Sequence, residues 1–266
     1  MNMRLLIDEP LDGATNMARD AALLALLTRG AAPPTLRLYR WASPCLSLGR
    51  FQRVAAIDRA ACAATGTQVV RRPSGGWALL HDDELTYALV LPTDSALGNG
   101  TIMKSYQQIS AGLCEALRRL GAAAELMPPG KRRTTNDERR PTAACYDAPA
   151  AFELAVAGRK LVGSAQKRVG GALLQHGAIP FAPHAERLCA LLHRPPHDLA
   201  QRMITLDEAI GRRTSYDEVA EALVAGCATA WDVAFTHGVW AAEELALAEE
   251  LRTTTYADER WTWGVA

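Results

Sequence analysis

Apolar side chains at Ile102, Tyr106, Ile109, Leu113, Leu117 and Leu120 recur at helical spacing, and Gly121 follows them as a stop. A helix over 101–120 with one apolar face must bury that face against another element. Around it lie short apolar runs of strand length at 36–41, 45–49, 69–70 and 85–91. The helix is therefore expected to lie flat on a sheet, with 69–70 and 85–91 as strands apolar on both sides. Strands and helices follow one another without regular βαβ alternation. That order predicts an α+β sheet domain followed by a smaller helical region.

Local signals fill in the rest. Residues 3–7 read as a first strand, and Asn16 as the cap of a helix that Gly30 stops. An Ala-rich helix over 55–64 ends at Gly66. Ser215 and Glu218 fit a capping box, with Val219, Leu223 and Cys227 as the apolar stripe behind it. A last helix is expected over 241–251. The run at 128–141, PPGKRRTTNDERRP, has no apolar residue beyond its prolines and reads as a surface loop.

Lys plus Arg and Asp plus Glu both number 29 in the 266 residues, which argues against a general nucleic-acid or anionic-membrane surface. The N-terminal MNMRLLIDEPLDG lacks the apolar core of a signal peptide, and no segment approaches a membrane span. A cytoplasmic protein is the expectation. Six scattered cysteines with no CxxC and no Cys-His cluster indicate neither a zinc site nor a disulfide framework. Five of them have apolar surroundings and are expected to be small buried hydrophobes. Cys145 differs, because it follows the polar run and precedes Tyr146-Asp147.

The chemistry-bearing residues fall in two stretches. In 152–181, FELAVAGRKLVGSAQKRVGGALLQHGAIPF, a strand, an Ala157-Gly158 turn and a returning strand place Lys160 where a core strand seldom carries a charge. In RRPSGG, 71–76, paired glycines fit a tight turn, or a backbone that approaches a ligand and aims its N–H groups at an anion or carbonyl oxygen. No GKS or GKT follows, so this is not a P-loop. His81 follows on the next strand, beside Asp82-Asp83. A cysteine beside a cation is a reactive nucleophile, and a lysine in an apolar pocket can act as a base or acid. Cys145 and Lys160 would satisfy either description if the fold brings them together.

The segments NMARDAALL, CLSLGRFQ, RRPSGGWALLHDDELTY, GRKLVGSAQKR and LLQHGAIP, in that order, resemble the biotin/lipoate protein ligase family over nearly the whole chain. Within the lipoate branch, ACYDAPAAFELAVAGRKLVGSAQKR is most similar to the LipM-type octanoyltransferases, which carry a nucleophilic cysteine ahead of the GRK strand. The resemblance implies a mixed sheet flanked by helices, with a catalytic domain over 1–183 and a helical extension over 184–266 packed on it. Its implied catalytic pair is Cys145, as nucleophile, and Lys160, as proton relay. Arg72, Ser74, Gly75, Gly76, His81, Gly163, Ser164 and Ala165 are implied substrate-binding residues, with backbone N–H groups of Gly75-Gly76 or of a GSAQ turn as oxyanion donors. The implied donor is octanoyl-acyl-carrier protein. The implied acceptor is a lipoyl-domain lysine, on a glycine cleavage H protein or a 2-oxoacid dehydrogenase E2. No cofactor, metal, nucleic acid or membrane is called for. The basic residues Lys131, Arg132, Arg133, Arg139 and Arg140 suit contact with an acidic carrier protein. Trp77, Ala21 and Ala150-Ala151 depart from the usual family residues. An ATP- and Mg²⁺-dependent lipoate ligase, in which Lys160 would hold an acyl-adenylate, is the alternative, and a non-catalytic acyl or lipoyl-domain binder a third.

Overall fold

Side chains of alternating direction along the strands set the architecture. The computed structural model describes residues 1–128, 144–145 and 152–264. In chain order its strands are β1 (Asn2–Ile7), β2 (Thr35–Tyr39), β3 (Cys45–Leu48), β4 (Gln68–Arg71), β5 (Leu79–His81), β6 (Glu84–Pro92), β7 (Glu125–Leu126), β8 (Leu154–Val156), β9 (Arg159–Lys160), β10 (Gly163–Val169), β11 (Ala172–Pro180) and β12 (Ala234–His237). The main sheet has the order β10-β11-β6-β2-β1-β12. It is mixed: β2, β1 and β12 are parallel neighbours, and the other pairs are antiparallel.

In β6, Leu85, Tyr87, Leu89 and Leu91 enter one core while Ala88 and Val90 enter the other. The helices are α1 (Gly13–Thr28), α2 (Arg59–Ala64), α3 (Ile102–Arg119), α4 (Ala185–Ala190), α5 (Leu199–Arg202), α6 (Leu206–Ile210), α7 (Tyr216–Trp231), α8 (Ala242–Leu251) and α9 (Glu259–Trp263). Helices α3 and α7 pack on each other over the first core, and α1, backed by α8, covers the second. The expected stripe of α3 is buried at Ile109, Leu113 and Leu117, but Ile102 in its first turn is exposed. Ser215 caps α7 by accepting from the Glu218 N–H. Beyond residue 183 the chain is mostly helical and returns one strand, β12, to the sheet edge beside β1.

Three local expectations change. Helix α1 starts at Gly13 with Asp12 as its cap, accepting from the Thr15 N–H at 3.0 Å. Asn16 lies inside the helix because its amide is drawn elsewhere: Nδ2 donates to the Leu11 and Arg40 carbonyls, and Oδ1 accepts from Arg37 at 2.7 Å. Val69 and Val70 lie on β4, an edge strand of a second sheet ordered β4-β3-β5, and not in a sheet centre. GSAQ forms no turn; it begins β10, the edge strand of the main sheet. A third small sheet, β7-β8-β9, carries Lys160. Most of the polar run at 128–141, together with Tyr146, Asp147 and Ala150-Ala151, lies outside the described residues. No helix among the described residues is long and apolar enough to cross a membrane.

Candidate active site

The RRPSGG turn joins β4 to β5 and is fixed from three sides. Arg71 is fully buried, and its guanidinium donates to main-chain carbonyls of Gly49, Gln52, Trp261 and Thr262 at 2.6–3.1 Å. The Trp261 indole N–H answers by donating to the Arg71 carbonyl at 2.8 Å, so α9 is fastened to the strand that feeds the turn. Arg72 folds back over its own turn. It donates to the carbonyls of Gly75 and Trp77, each at 2.8 Å, and to the Ser47 carbonyl at 2.9 Å. Burial and the neighbouring Arg71 pull the Arg72 guanidinium below its ordinary range, against the charge of Cys145. From the far side, Gly49 presses on the turn so closely that a Cβ there would meet the Gly76 carbonyl oxygen at 1.9 Å.

Two buried hydrogen-bond chains brace the turn and β5. His81 stacks on Trp41, with ring centroids 4.0 Å apart and planes at 16°. Its Nδ1 lies 2.7 Å from Glu84 Oε1 and its Nε2 2.8 Å from Ser47 Oγ. A carboxylate oxygen only accepts, so Nδ1–H faces Glu84, and Ser47 Oγ also accepts from Arg72 at 3.1 Å. Ser74 Oγ lies 2.5 Å from His176 Nε2, and His176 Nδ1 lies 2.9 Å from Asp20 Oδ2. Asp20 is in turn held by Arg37 at 2.7 Å and by the Tyr39 hydroxyl at 3.1 Å. Arg37 also grips Asp8 at 2.8 Å with no exposed side-chain surface. Against burial, which works the other way, Arg37, Trp240 and Arg19 hold the Asp8 carboxyl below the usual carboxylate range.

The thiol and the amine meet. Ala144 forms a parallel bridge with Ala78, and the Cys145 N–H donates to the Ala78 carbonyl at 2.9 Å, bringing Cys145 beside the RRPSGG turn. Lys160 is pinned by its pairing with Ala155 and by the Ile204 N–H, which donates to its carbonyl at 3.0 Å. Its ammonium donates to the Cys145 carbonyl at 3.0 Å and lies 3.8 Å from Cys145 Sγ. It also donates to Glu153 Oε1 at 2.5 Å. Burial alone would push Lys160 down, but the charges and hydrogen bonds of Cys145 and Glu153 outweigh it and hold the ammonium above the ordinary lysine range. Cys45, Cys62, Cys114 and Cys227 are buried, whereas Cys189 is half-buried, as Cys145 is. Burial pushes the thiols of Cys45 and Cys227 well up.

These pieces line a narrow cleft of about 40 Å³. Its wall includes the apolar Met17, Tyr39, Trp41 and Leu79, together with Arg72, Gly76, His81, Cys145, Gly163, Ser164, Ala165 and His176. Of the residues proposed from sequence, Ser74, Gly75 and Lys160 are not part of this wall: the Ser74 hydroxyl lies on His176, and the buried Lys160 reaches the cleft only through its contact with Cys145. The residues that sequence reading passed over are Glu153, His176, Asp20, Glu84 and Ser47. Arg37 inside the apolar strand TLRLY gave a signal, since a buried arginine requires acidic partners and Asp8 and Asp20 precede it in the chain. No group of three or more His, Cys, Asp or Glu among the described residues could hold a metal ion.

The mixed sheet thus carries a narrow, partly apolar cleft lined by Cys145, with the Lys160 ammonium 3.8 Å from its sulfur. The chain belongs to the lipoyl protein ligase A/B catalytic domain family, which matches residues 12–228. It is 38% identical to octanoyltransferase LipM of Brevibacillus brevis, covering 97% of each chain. With octanoyltransferase LipM of Moorella thermoacetica the identity is 40%, over 97% of this chain and 96% of that one. Among solved structures, a lipoate-protein ligase A bound with ATP superposes over 100% of both chains with a TM-score of 0.84 at 26% identity. A lipoate protein ligase of Thermoplasma acidophilum with bound lipoic acid gives 0.81 at 25%.

Proposed function

We propose that this protein is an octanoyltransferase of lipoate biosynthesis that carries the octanoyl group on Cys145, taking it from acyl-carrier protein and passing it to a lysine of a lipoyl domain. The observation that carries this reading is the 3.8 Å approach of the Lys160 ammonium to the Cys145 sulfur at the wall of the cleft. Full-length similarity to LipM octanoyltransferases supports the same acyl group.

In the first half-reaction the Cys145 sulfur attacks the thioester carbonyl, and the carrier's thiolate leaves with a proton. Charge developing on sulfur next to an ammonium at this distance is stabilised by on the order of 4 kcal/mol at an effective dielectric of about 20. The oxyanion would be met by backbone N–H groups along the open side of β10 at Gly163–Ala165 or near Gly76, worth about 3–4 kcal/mol per donor in comparable sites. The apolar wall of Met17, Tyr39, Trp41 and Leu79 takes the acyl tail. In the second half-reaction the acceptor amine attacks the new thioester. Exchange of one thioester for another is close to balance, and amide formation drives the sequence, so neither ATP nor Mg²⁺ is required.

The ligase reading is favoured by one observation, the close superposition on a lipoate-protein ligase A bound with ATP. It predicts modification of a lipoyl domain only from free acid plus ATP and Mg²⁺, with Cys145 dispensable. Incubating octanoyl-acyl-carrier protein with a lipoyl domain, without ATP, decides between them. The transferase modifies the domain and loses that activity in Cys145→Ser; full activity of Cys145→Ser removes the thioester mechanism.

A further inference from the structure

Lys160 could serve acyl transfer in two opposite ways, as a neutral base that takes a proton from sulfur or amine, or as a cation that never leaves its charged form. The described surroundings separate them. The ammonium has three N–H donors, and they meet the Glu153 carboxylate at 2.5 Å, the Cys145 carbonyl at 3.0 Å and the Cys145 sulfur at 3.8 Å. Glu153 and Lys160 are both buried, with side chains 5% and 4% exposed. Neutralising the lysine would take away a cation in direct contact with a buried carboxylate.

The backbone prepares this contact. Phe152 adopts φ 64°, a left-handed conformation rarely taken by a bulky residue. It is held there between two bonds to Met127, the residue after β7: the Phe152 N–H donates to the Met127 carbonyl, and the Met127 N–H donates to the Glu153 carbonyl. This turns Glu153 from the end of β8 toward Lys160 on the neighbouring β9. Among the described residues, the other charged and titratable groups that face the cluster are Arg72, from the RRPSGG turn, and Tyr106, from α3. Burial first, then the charges of Glu153, Tyr87 and Cys145, push the Tyr106 phenol well above its usual range, so Tyr106 is not a competing proton acceptor.

We propose that Glu153 is the positioning residue that fixes Lys160 as a permanent cation at Cys145, so that Lys160 acts through its charge and its N–H donors and not as a base. The proposal rests on Cys145 being the acylated residue. During thioester attack the ammonium balances the charge on sulfur and keeps its own protons: the Cys145 thiol loses its proton to solvent at the open side of the cleft, and the departing carrier thiolate takes one up from solvent there.

The test uses the full chain as wild type, Glu153→Gln and Glu153→Asp, with two readouts. The first is the Lys160 side-chain NMR titration in lysine-labelled protein, assigned with Lys160→Arg. The second is single-turnover acylation of Cys145 by octanoyl-acyl-carrier protein as a function of pH. Wild-type Lys160 should stay charged above the ordinary lysine range, and Glu153→Gln should titrate lower by about one unit or more, a tenfold change. Acylation in Glu153→Gln should match wild type near pH ~6 and begin its alkaline decline at a lower pH than wild type, displaced by the same shift that the titration reads, because the ammonium is lost only on the alkaline side. Glu153→Asp, which keeps the carboxylate, should restore both readouts. Faster acylation in Glu153→Gln would make Lys160 a base and overturn the proposal, and so would a deficit equal at every pH, which marks a purely structural role. Should Glu153→Gln fail to fold, the wild-type titration decides: a Lys160 that is neutral below the ordinary lysine range overturns the assignment. If wild type acquires no octanoyl group, the transferase reading fails, while the Lys160 titration still judges the charge assignment.

Discussion

Two alanine substitutions, at Gly49 and at Gly75, should behave in opposite ways. A Cβ on residue 49 would lie 1.9 Å from the Gly76 carbonyl oxygen and 2.7 Å from its carbon. Both obstacles are backbone, so the turn itself must retreat by more than about 1 Å to restore ordinary contact. Retreat pulls on the Arg50 N–H bond to the Ser74 carbonyl and on the Arg72 bonds to Gly75 and Trp77, each 2.8 Å long. Overpacking of this kind costs about 1–3 kcal/mol, equivalent to a melting temperature lowered by roughly 2–12 °C at this chain size. Because Gly76 lines the cleft, a displacement of about 1 Å should also lower octanoyl transfer about 100-fold. A Cβ on Gly75 meets nothing within 4 Å, and its φ lies outside the left-handed region. Gly75→Ala should melt like wild type. Thermal melting and lipoyl-domain modification measure both variants. A Gly49→Ala protein that melts and transfers like wild type, or a Gly75→Ala protein equally destabilised, would refute the packing described for this turn.

Other consequences follow from the buried charges. Arg37→Leu strips Asp8 and Asp20 of a shared buried cation and should destabilise the fold by about 3–5 kcal/mol; a denaturant titration within about 0.5 kcal/mol of wild type would contradict the network. The Asp8 carboxyl is held below its unfolded value of 3.8, so its contribution is complete above that pH and is lost as pH falls through the lower folded value. Asp8→Asn should therefore flatten the decline of stability below about pH 4, measured as melting temperature against pH. Lys160 has the opposite sign. Its contribution is complete below its unfolded value of 10.5 and is lost only as pH rises through the higher folded value. Lys160→Met should remove that alkaline loss.

Much of the frame was legible because it depends on neighbours in the chain. The stripe at Ile109, Leu113 and Leu117 requires a partner surface, and Ser215 with Glu218 marks the start of α7 wherever the helix finally packs. Asn16 misled because a good cap residue was needed elsewhere, as acceptor for the buried Arg37. GSAQ misled because small residues that suit a turn also suit a strand that another backbone approaches closely: Ser164 pairs with Gly177, where a Cβ would meet Ser164 Oγ at 2.5 Å. At the site, Cys145 and Lys160 were visible as unusual residues, and the β8-β9 hairpin that carries Lys160 is local, but their separation depends on the Ala78–Ala144 bridge, which pairs segments distant in sequence. Glu153 looked like one more charge before an apolar strand. Only the turn at Phe152 shows that it points inward at Lys160.

The most direct test of the account is intact-protein mass spectrometry of wild type and Cys145→Ala after mixing with octanoyl-acyl-carrier protein in the absence of ATP. A single octanoyl adduct is expected on wild type, none on Cys145→Ala, and discharge of the adduct when a lipoyl domain is added. An unmodified wild type, with the lipoyl domain acylated only when free acid and ATP are supplied, would contradict it.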